Sequence, residues 1–262
     1  MVNIKRNLLF LLLLCNSIPI FSQNTPAYSE LSKYSNFGFT LGGVLFDKAK
    51  IDFEEGSYNI STFPIASYSF GFYFDFPIHG KWSMQTGLIF VREAALGIKY
   101  GFNNEDIVNP DFQRERVVDS PIFTSSIPLS VKFKTKVSKK SYLEMKLGMK
   151  MMLLPYGAVG CTNILHCDTG YYSNFRLLIY SPKVFFHGSV LSSVGYVIDL
   201  NKVLIGFEFS RTINFQNTFS GRFRFYNLIT NPDAYGYYNL SGDYWAFNIN
   251  INFKKIKKKN KN

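Results

Sequence analysis

The sequence predicts an all-β chain, folded as an eight-stranded antiparallel transmembrane β-barrel with short periplasmic turns and long extracellular loops. Three observations lead there. Apolar and polar residues alternate with period two along eight stretches, which marks ribbons with one apolar and one polar face. The connections between those stretches alternate strictly between long and short, the loop asymmetry of outer-membrane barrels. The chain also opens with a segment that reads as a secretory leader.

The clearest pair of stretches lies at 126–154. Ile127, Leu129, Val131 and Phe133 alternate with Ser130, Lys132 and Lys134. After a tight turn, Leu143, Met145, Leu147, Met149 and Met151 alternate with Glu144, Lys146, Gly148 and Lys150. Charges at the centre of a strand do not suit either half of a sandwich core. They suit a barrel wall with lipid on one side and a packed polar lumen on the other.

The remaining elements follow in order. Residues 1–22 read as a signal peptide, with Lys5 and Arg6 before an apolar run at 8–14 and a cleavage site after Ser22. That run is too short to span a bilayer as a helix. Lipidation at Cys15 is the rival reading, and the large residues before it disfavour that. Residues 23–34 form a polar lead-in, 35–254 the barrel, and 255–262 a basic tail. Strands are expected near 35–46, 65–76, 82–93, the two at 126–154, 184–198, 203–214 and 243–253. The short turns fall near 77–81, 137–141 and 199–202. Residues 47–63, 94–121, 155–183 and 215–242 are the long connections. Pro128 cannot donate a ladder bond, so a bulge is expected there.

Composition agrees. Aromatics make up 18% of 262 residues, with 27 Phe, yet mean hydropathy is −0.01. Alternation produces that combination, because apolar residues are plentiful but rarely consecutive. No stretch after the leader has the length of a transmembrane helix. The rival fold is a soluble eight-stranded barrel with its apolar face inward. Volume argues against it: an eight-stranded lumen is only just wide enough for side chains to fill. About five large residues per strand would overfill it. The Gly, Ser and Asn of the polar face fit. Asp75, Lys132, Glu144, Lys146, Lys150 and Glu208 are then expected to pair as a charged plug in the lumen. Trp82, Phe76, Phe133, Trp245 and Phe253, near strand ends, suit interfacial girdles.

The segments GLIF (87–90), SIPLSVKF (126–133) and SYLEMKLGMK (141–150) resemble the outer-membrane β-barrel proteins of Bacteroidetes, including PorT-like proteins. Ser126 stands where that family often has Glu, and the chain continues past Phe253. The resemblance implies an eight-stranded outer-membrane barrel, most members having no assigned activity and one type acting in type IX secretion.

Candidate sites are few. Cys161 and Cys167 in CTNILHC suggest a disulfide in an exported chain; free thiols, or a metal site using His166 and Asp168, are the alternatives. His187-Gly188-Ser189 resembles the His-x-Ser of outer-membrane lipid A deacylases, but alternation turns both side chains into the lumen. SGRFRFYNLI (220–229) alternates Arg with aromatics, as a polyanion surface or as a hairpin above the membrane. The tail from Lys254 carries six Lys and either touches anionic lipid or is a soluble end. No catalytic residue and no cofactor is expected. The reading is a non-enzymatic scaffold for extracellular loops in envelope binding or assembly. A component of a type IX secretion-like machine and a lipid-modifying enzyme are the alternatives. Expected partners are outer-membrane lipid and lipopolysaccharide, with an envelope or secretion protein possible, and no nucleic acid.

Overall fold

The computed structural model describes residues 31–107, 115–154, 157–167, 170–181 and 186–255. The expected signal peptide, most of the expected lead-in and all but the first residue of the 255–262 tail lie outside these. Among the described residues, strands run β1 (Tyr34–Phe46), β2 (Lys50–Glu55), β3 (Ile60–Thr62), β4 (Ala66–His79), β5 (Trp82–Gly101), β6 (Glu115–Ser138), β7 (Ser141–Leu153), β8 (Ala158–Cys167), β9 (Gly170–Tyr180), β10 (Phe186–Asp199), β11 (Val203–Asn214), β12 (Phe219–Phe225), β13 (Ala234–Leu240) and β14 (Tyr244–Lys254). No helix among them is long and apolar enough to cross a membrane.

Eight strands close into a ring in the order β1-β4-β5-β6-β7-β10-β11-β14, with β14 pairing back onto β1. Every neighbouring pair in the ring is antiparallel. Closure removes sheet edges, which is what a strand-built protein needs in hydrocarbon. The turns at one end are tight. Gly80 and Asn201 both sit at positive φ (56° and 67°), the conformation that favours glycine and asparagine. Pairing also leaves no room for side chains at some lumen positions. A Cβ on Gly148 would lie 2.3 Å from the carbonyl oxygen of Leu129.

Exposure decides which face is which. Leu41 is 61% exposed, Met149 57% and Leu129 54%, while Lys132 is 3% and Glu144 5%. Apolar residues therefore ring the outside and charges fill the inside. A continuous apolar belt of this kind belongs in lipid. Aromatic and basic residues mark its borders. Near the turns, Trp82 and Phe133 pack at 5.0 Å, with the Lys81 ammonium 6.0 Å from the Phe133 ring. At the other border Phe209 stacks on Trp245 at 5.0 Å, under the Arg211 guanidinium.

The lumen is layered. At the turn end, Leu31, Tyr34, Tyr142, Val197 and Leu204 form an apolar stopper. The end of the lead-in joins this layer: Leu31 and Tyr34 pack within it, and the Tyr34 hydroxyl donates to Asp199. At the opposite mouth Val44, Phe46, Ile65, Val91, Ala94, Tyr244 and Ala246 form a second apolar layer. Polar and charged groups lie between the two.

The long connections differ most from expectation. They are not open loops. β2, β13, β12, β9 and β8 form a second, five-stranded antiparallel sheet. β5 and β6 continue past the mouth as a paired hairpin, joined by β3. The sheet and the hairpin enclose their own core, in which Leu96, Ile98 and Tyr100 of β5 meet Phe175, Leu177, Ile179, Phe219, Phe223 and Phe225. Two layers around one apolar core are the minimum for an independent fold, so the barrel carries a head.

Pro128 produces no register shift. The pairs Thr86↔Leu129 and Ile89↔Ser126 flank it in step, and the shift on β5 falls between Ala94 and Leu96. The Thr86 hydroxyl donates to the Pro128 carbonyl at 2.9 Å. The ladder loses a bond there without gaining a residue.

Candidate functional site

The lumen charges come from alternation on four strands, β4, β6, β7 and β11. Lys132 lies 3.1 Å from Asp75 and 3.0 Å from Glu144. Lys134, one step further along the same face of β6, reaches Glu144 at 2.9 Å. Lys146 donates to both oxygens of Glu208 at 2.9 and 2.8 Å, and Asn250 donates to Glu208 at 2.9 Å. Lys150 stands apart from that chain and donates to the Tyr244 hydroxyl at 2.5 Å. All these charged groups are buried. A buried charge is tolerated only when paired and hydrogen-bonded, and the register supplies the partners. Beside Lys146, Lys150, Glu208 and Tyr244 a cavity of about 60 Å³ remains, room for a few waters.

Lys134, Tyr244 and the buried Glu93 belong to this interior and were not singled out from the sequence. Parity with Lys132 was the available signal for Lys134. Glu93 accepts from the Thr124 hydroxyl at 2.9 Å. It closes the expected 82–93 strand in parity with Ser83 and Gln85, but the apolar Ile89 and Val91 interrupt the polar face before it.

His187 and Ser189 are fully buried in the barrel wall's inner face. The Ser189 hydroxyl donates to the Lys150 carbonyl at 3.2 Å, and the His187 Nδ1 lies 3.3 Å from the Gln216 amide. The hydroxyl is thus committed to backbone, and neither group reaches lipid. Asp199 sits at the turn end, accepting from Lys33 at 2.6 Å.

The expected Cys161–Cys167 disulfide is not formed. Both residues lie on one strand, β8, and Cys161 is a buried free thiol. Six extended residues span roughly 20 Å, whereas bonded cysteines have Cα atoms within about 7 Å. The Cys161 Sγ instead lies 3.6 Å from the Tyr100 hydroxyl, inside the head core. The side chains of His166, Cys167 and Asp168 lie outside the described residues. Elsewhere, the described residues contain no group of three or more His, Cys, Asp or Glu arranged for a metal.

The head is fastened at its tip by Asp106, in a short 3-10 turn at Asn104–Asp106. Its buried carboxylate accepts from Tyr58 (2.7 Å), the Thr230 hydroxyl (2.5 Å), the Asn231 amide N–H (3.0 Å) and the Asn231 side chain (2.9 Å). Three separate connections therefore meet on one carboxylate. Burial by itself would raise that carboxyl, but the bonds from Thr230, Tyr58 and Asn231 outweigh it and hold it well below the usual carboxylate range. Burial, with the Asp106 carboxylate to which it donates, pushes the Tyr58 phenol up to about 12. Because the folded carboxyl titrates lower than the unfolded one, its contribution is complete above the ordinary Asp value near 3.9. It is lost only as pH falls from there through the lower folded value. Asp106→Asn is expected to weaken the head by about 2–3 kcal/mol, read as faster amide hydrogen exchange at 226–233. Unchanged exchange in that segment would show that the carboxylate does not fasten the tip.

The outer face of the head sheet carries the alternation of SGRFRF. Phe223 and Phe225 face the core while Arg222 and Arg224 are exposed. Arg176 on β9 and Tyr235 and Tyr237 on β13 share that outer face. The alternation at 220–229 does not point to Arg176, because a pairing between residues 48 apart, with β10 and β11 between them, cannot be read from one segment.

Fold and surface together define a class: an outer-membrane β-barrel with eight strands, an apolar belt and a plugged lumen. By structure the chain is similar to OprG from Pseudomonas aeruginosa (TM-score 0.43, 10% identity, over 85% of this chain and 97% of that one). It is also similar to the protease OmpT from Escherichia coli (TM-score 0.32, 9% identity, 85% and 98%) and to Ail of Yersinia pestis (TM-score 0.28, 8% identity, 81% and 97%). No protein-family model matches the chain, and no curated protein does.

Proposed function

We propose that this protein is a non-enzymatic outer-membrane scaffold that displays a folded extracellular head for binding or assembly at the cell envelope. One observation carries the reading: three long connections supply the strands of a single sheet with its own core, above a barrel closed by ion pairs and apolar layers. A rigid frame presenting a folded surface is the usual arrangement for recognition. Transport would need a lumen that this packing fills. The test is topological. A cysteine placed at Ser220 should react with a membrane-impermeant maleimide on whole cells, and one at Lys139 only after the outer membrane is opened. The purified barrel should give no stepwise conductance in a planar bilayer. Labelling at Lys139 on intact cells, or a stable open pore, overturns the reading.

A second reading, component of a type IX secretion-like machine, is favoured by where the PorT-like segments fall: GLIF, SIPLSVKF and SYLEMKLGMK occupy the adjacent barrel strands β5, β6 and β7. A stoichiometric partner retained through purification from outer membranes supports it. Recovery of the barrel alone, in lipid, removes it.

A further inference from the structure

The outer face of the head sheet carries a cluster of three arginines, Arg176, Arg222 and Arg224. Arg176 and Arg224 stand directly opposite one another on paired strands, both exposed. Like charges in that position destabilise a ladder. Arg222 follows on the same face, two residues away along β12. Its guanidinium lies 5.2 Å from the Tyr237 ring and donates to the Tyr237 hydroxyl at 3.2 Å. Arg224 is held by Asp233 at 2.7 Å. Each guanidinium has five donors in a fork that suits carboxylate and sulfate, and these contacts use only part of that capacity. The three arginines border a groove of about 610 Å³, flanked by Tyr180 and Tyr235.

Position and rim charge narrow the occupant. β12 begins near the barrel mouth, where the Thr218 N–H donates to Leu240, and it leads toward the tip held by Asp106. Arg224 is five steps along from Phe219, roughly 17 Å at the usual strand rise. That places the pair above the lipid headgroups. Glu54 lines the same groove, and Asp52 pairs across from Tyr237. A polynucleotide, charged at every residue, would meet those carboxylates. A saccharide charged on a minority of its groups would not: the carboxylates accept its hydroxyls, the arginines take its acidic groups and the tyrosines cover its ring faces.

We propose that this face binds an anionic polysaccharide standing off the bilayer, its carboxylate or sulfate groups seated on Arg176, Arg222 and Arg224. The inference deepens the scaffold reading and rests on the head facing outward. The test uses the full chain in lipid nanodiscs with hyaluronan, a sparsely sulfated dextran and neutral dextran as probes. At least one acidic polymer should bind, more weakly as salt rises, and neutral dextran should not. The Arg176→Gln, Arg224→Gln double variant should bind about tenfold more weakly or worse, and the corresponding Lys double variant should keep part of the affinity. Both positions are exposed, so the heat-modifiable gel shift of the folded barrel should be unchanged. Absence of binding by both acidic polymers, binding by the Gln variant within twofold of the parent, or tighter binding of single-stranded DNA would each overturn the proposal. Full competition by lipid A vesicles would also overturn it, since it would assign the site to headgroups. If the Ser220 cysteine labels on cells while no polymer binds, this inference falls and the scaffold reading stands.

Discussion

Replacing Glu144 by Gln is expected to cost the folded barrel about 3–5 kcal/mol, the range for removing one partner of a buried ion pair. Glu144 is the carboxylate shared by Lys132 at 3.0 Å and Lys134 at 2.9 Å. Lys132 keeps Asp75 at 3.1 Å, but the layer then holds more buried positive charge than it can compensate. The effect should appear as a lower urea midpoint in lipid vesicles. Adding Lys134→Met to Glu144→Gln removes the excess cation and should restore at least half of the loss. A Gln variant within about 1 kcal/mol of the parent would mean that water screens the layer and that it behaves like a surface pair.

Phe175→Ala is expected to unfold the head and leave the barrel standing. Phe175 is fully buried, stacks on Tyr100 at 4.0 Å and packs on Phe225 at 4.8 Å. Truncating such a ring costs about 3–5 kcal/mol, a large fraction of what a small two-layer core supplies. Only the extension of β5 and β6 beyond the mouth enters that core, and the ring itself shares no ladder with the head sheet. Protease added to intact cells should then cut within β9, β12 and β13, while the barrel keeps its heat-modifiable gel shift. If that shift is lost together with head protection, head and barrel are one cooperative unit.

How much was legible from the sequence depends on the element. The barrel strands were readable because lipid and lumen impose opposite chemistry on successive residues, and each strand carries that mark within its own dozen residues. β11 falls on the expected 203–214 and β7 ends one residue short of expectation. Lumen residues such as Lys146 and Glu208 could be assigned to the interior by parity. That Lys146 meets Glu208 while Lys132 meets Asp75 depends on tilt and stagger around the ring, which no single strand encodes. The cysteines show a different limit: six-residue spacing suits a closed loop, and here it lies along an extended strand instead.

By itself, the sequence determined a closed eight-stranded wall, its inside and its outside, because the bilayer reads every second side chain. Only the tertiary structure decided that the long connections form a head and that Arg176 comes to face Arg224. β9 and β12 lie in different connections, and their pairing is settled by burying Phe175, Phe223 and Phe225 together. Nothing within either segment specifies the other.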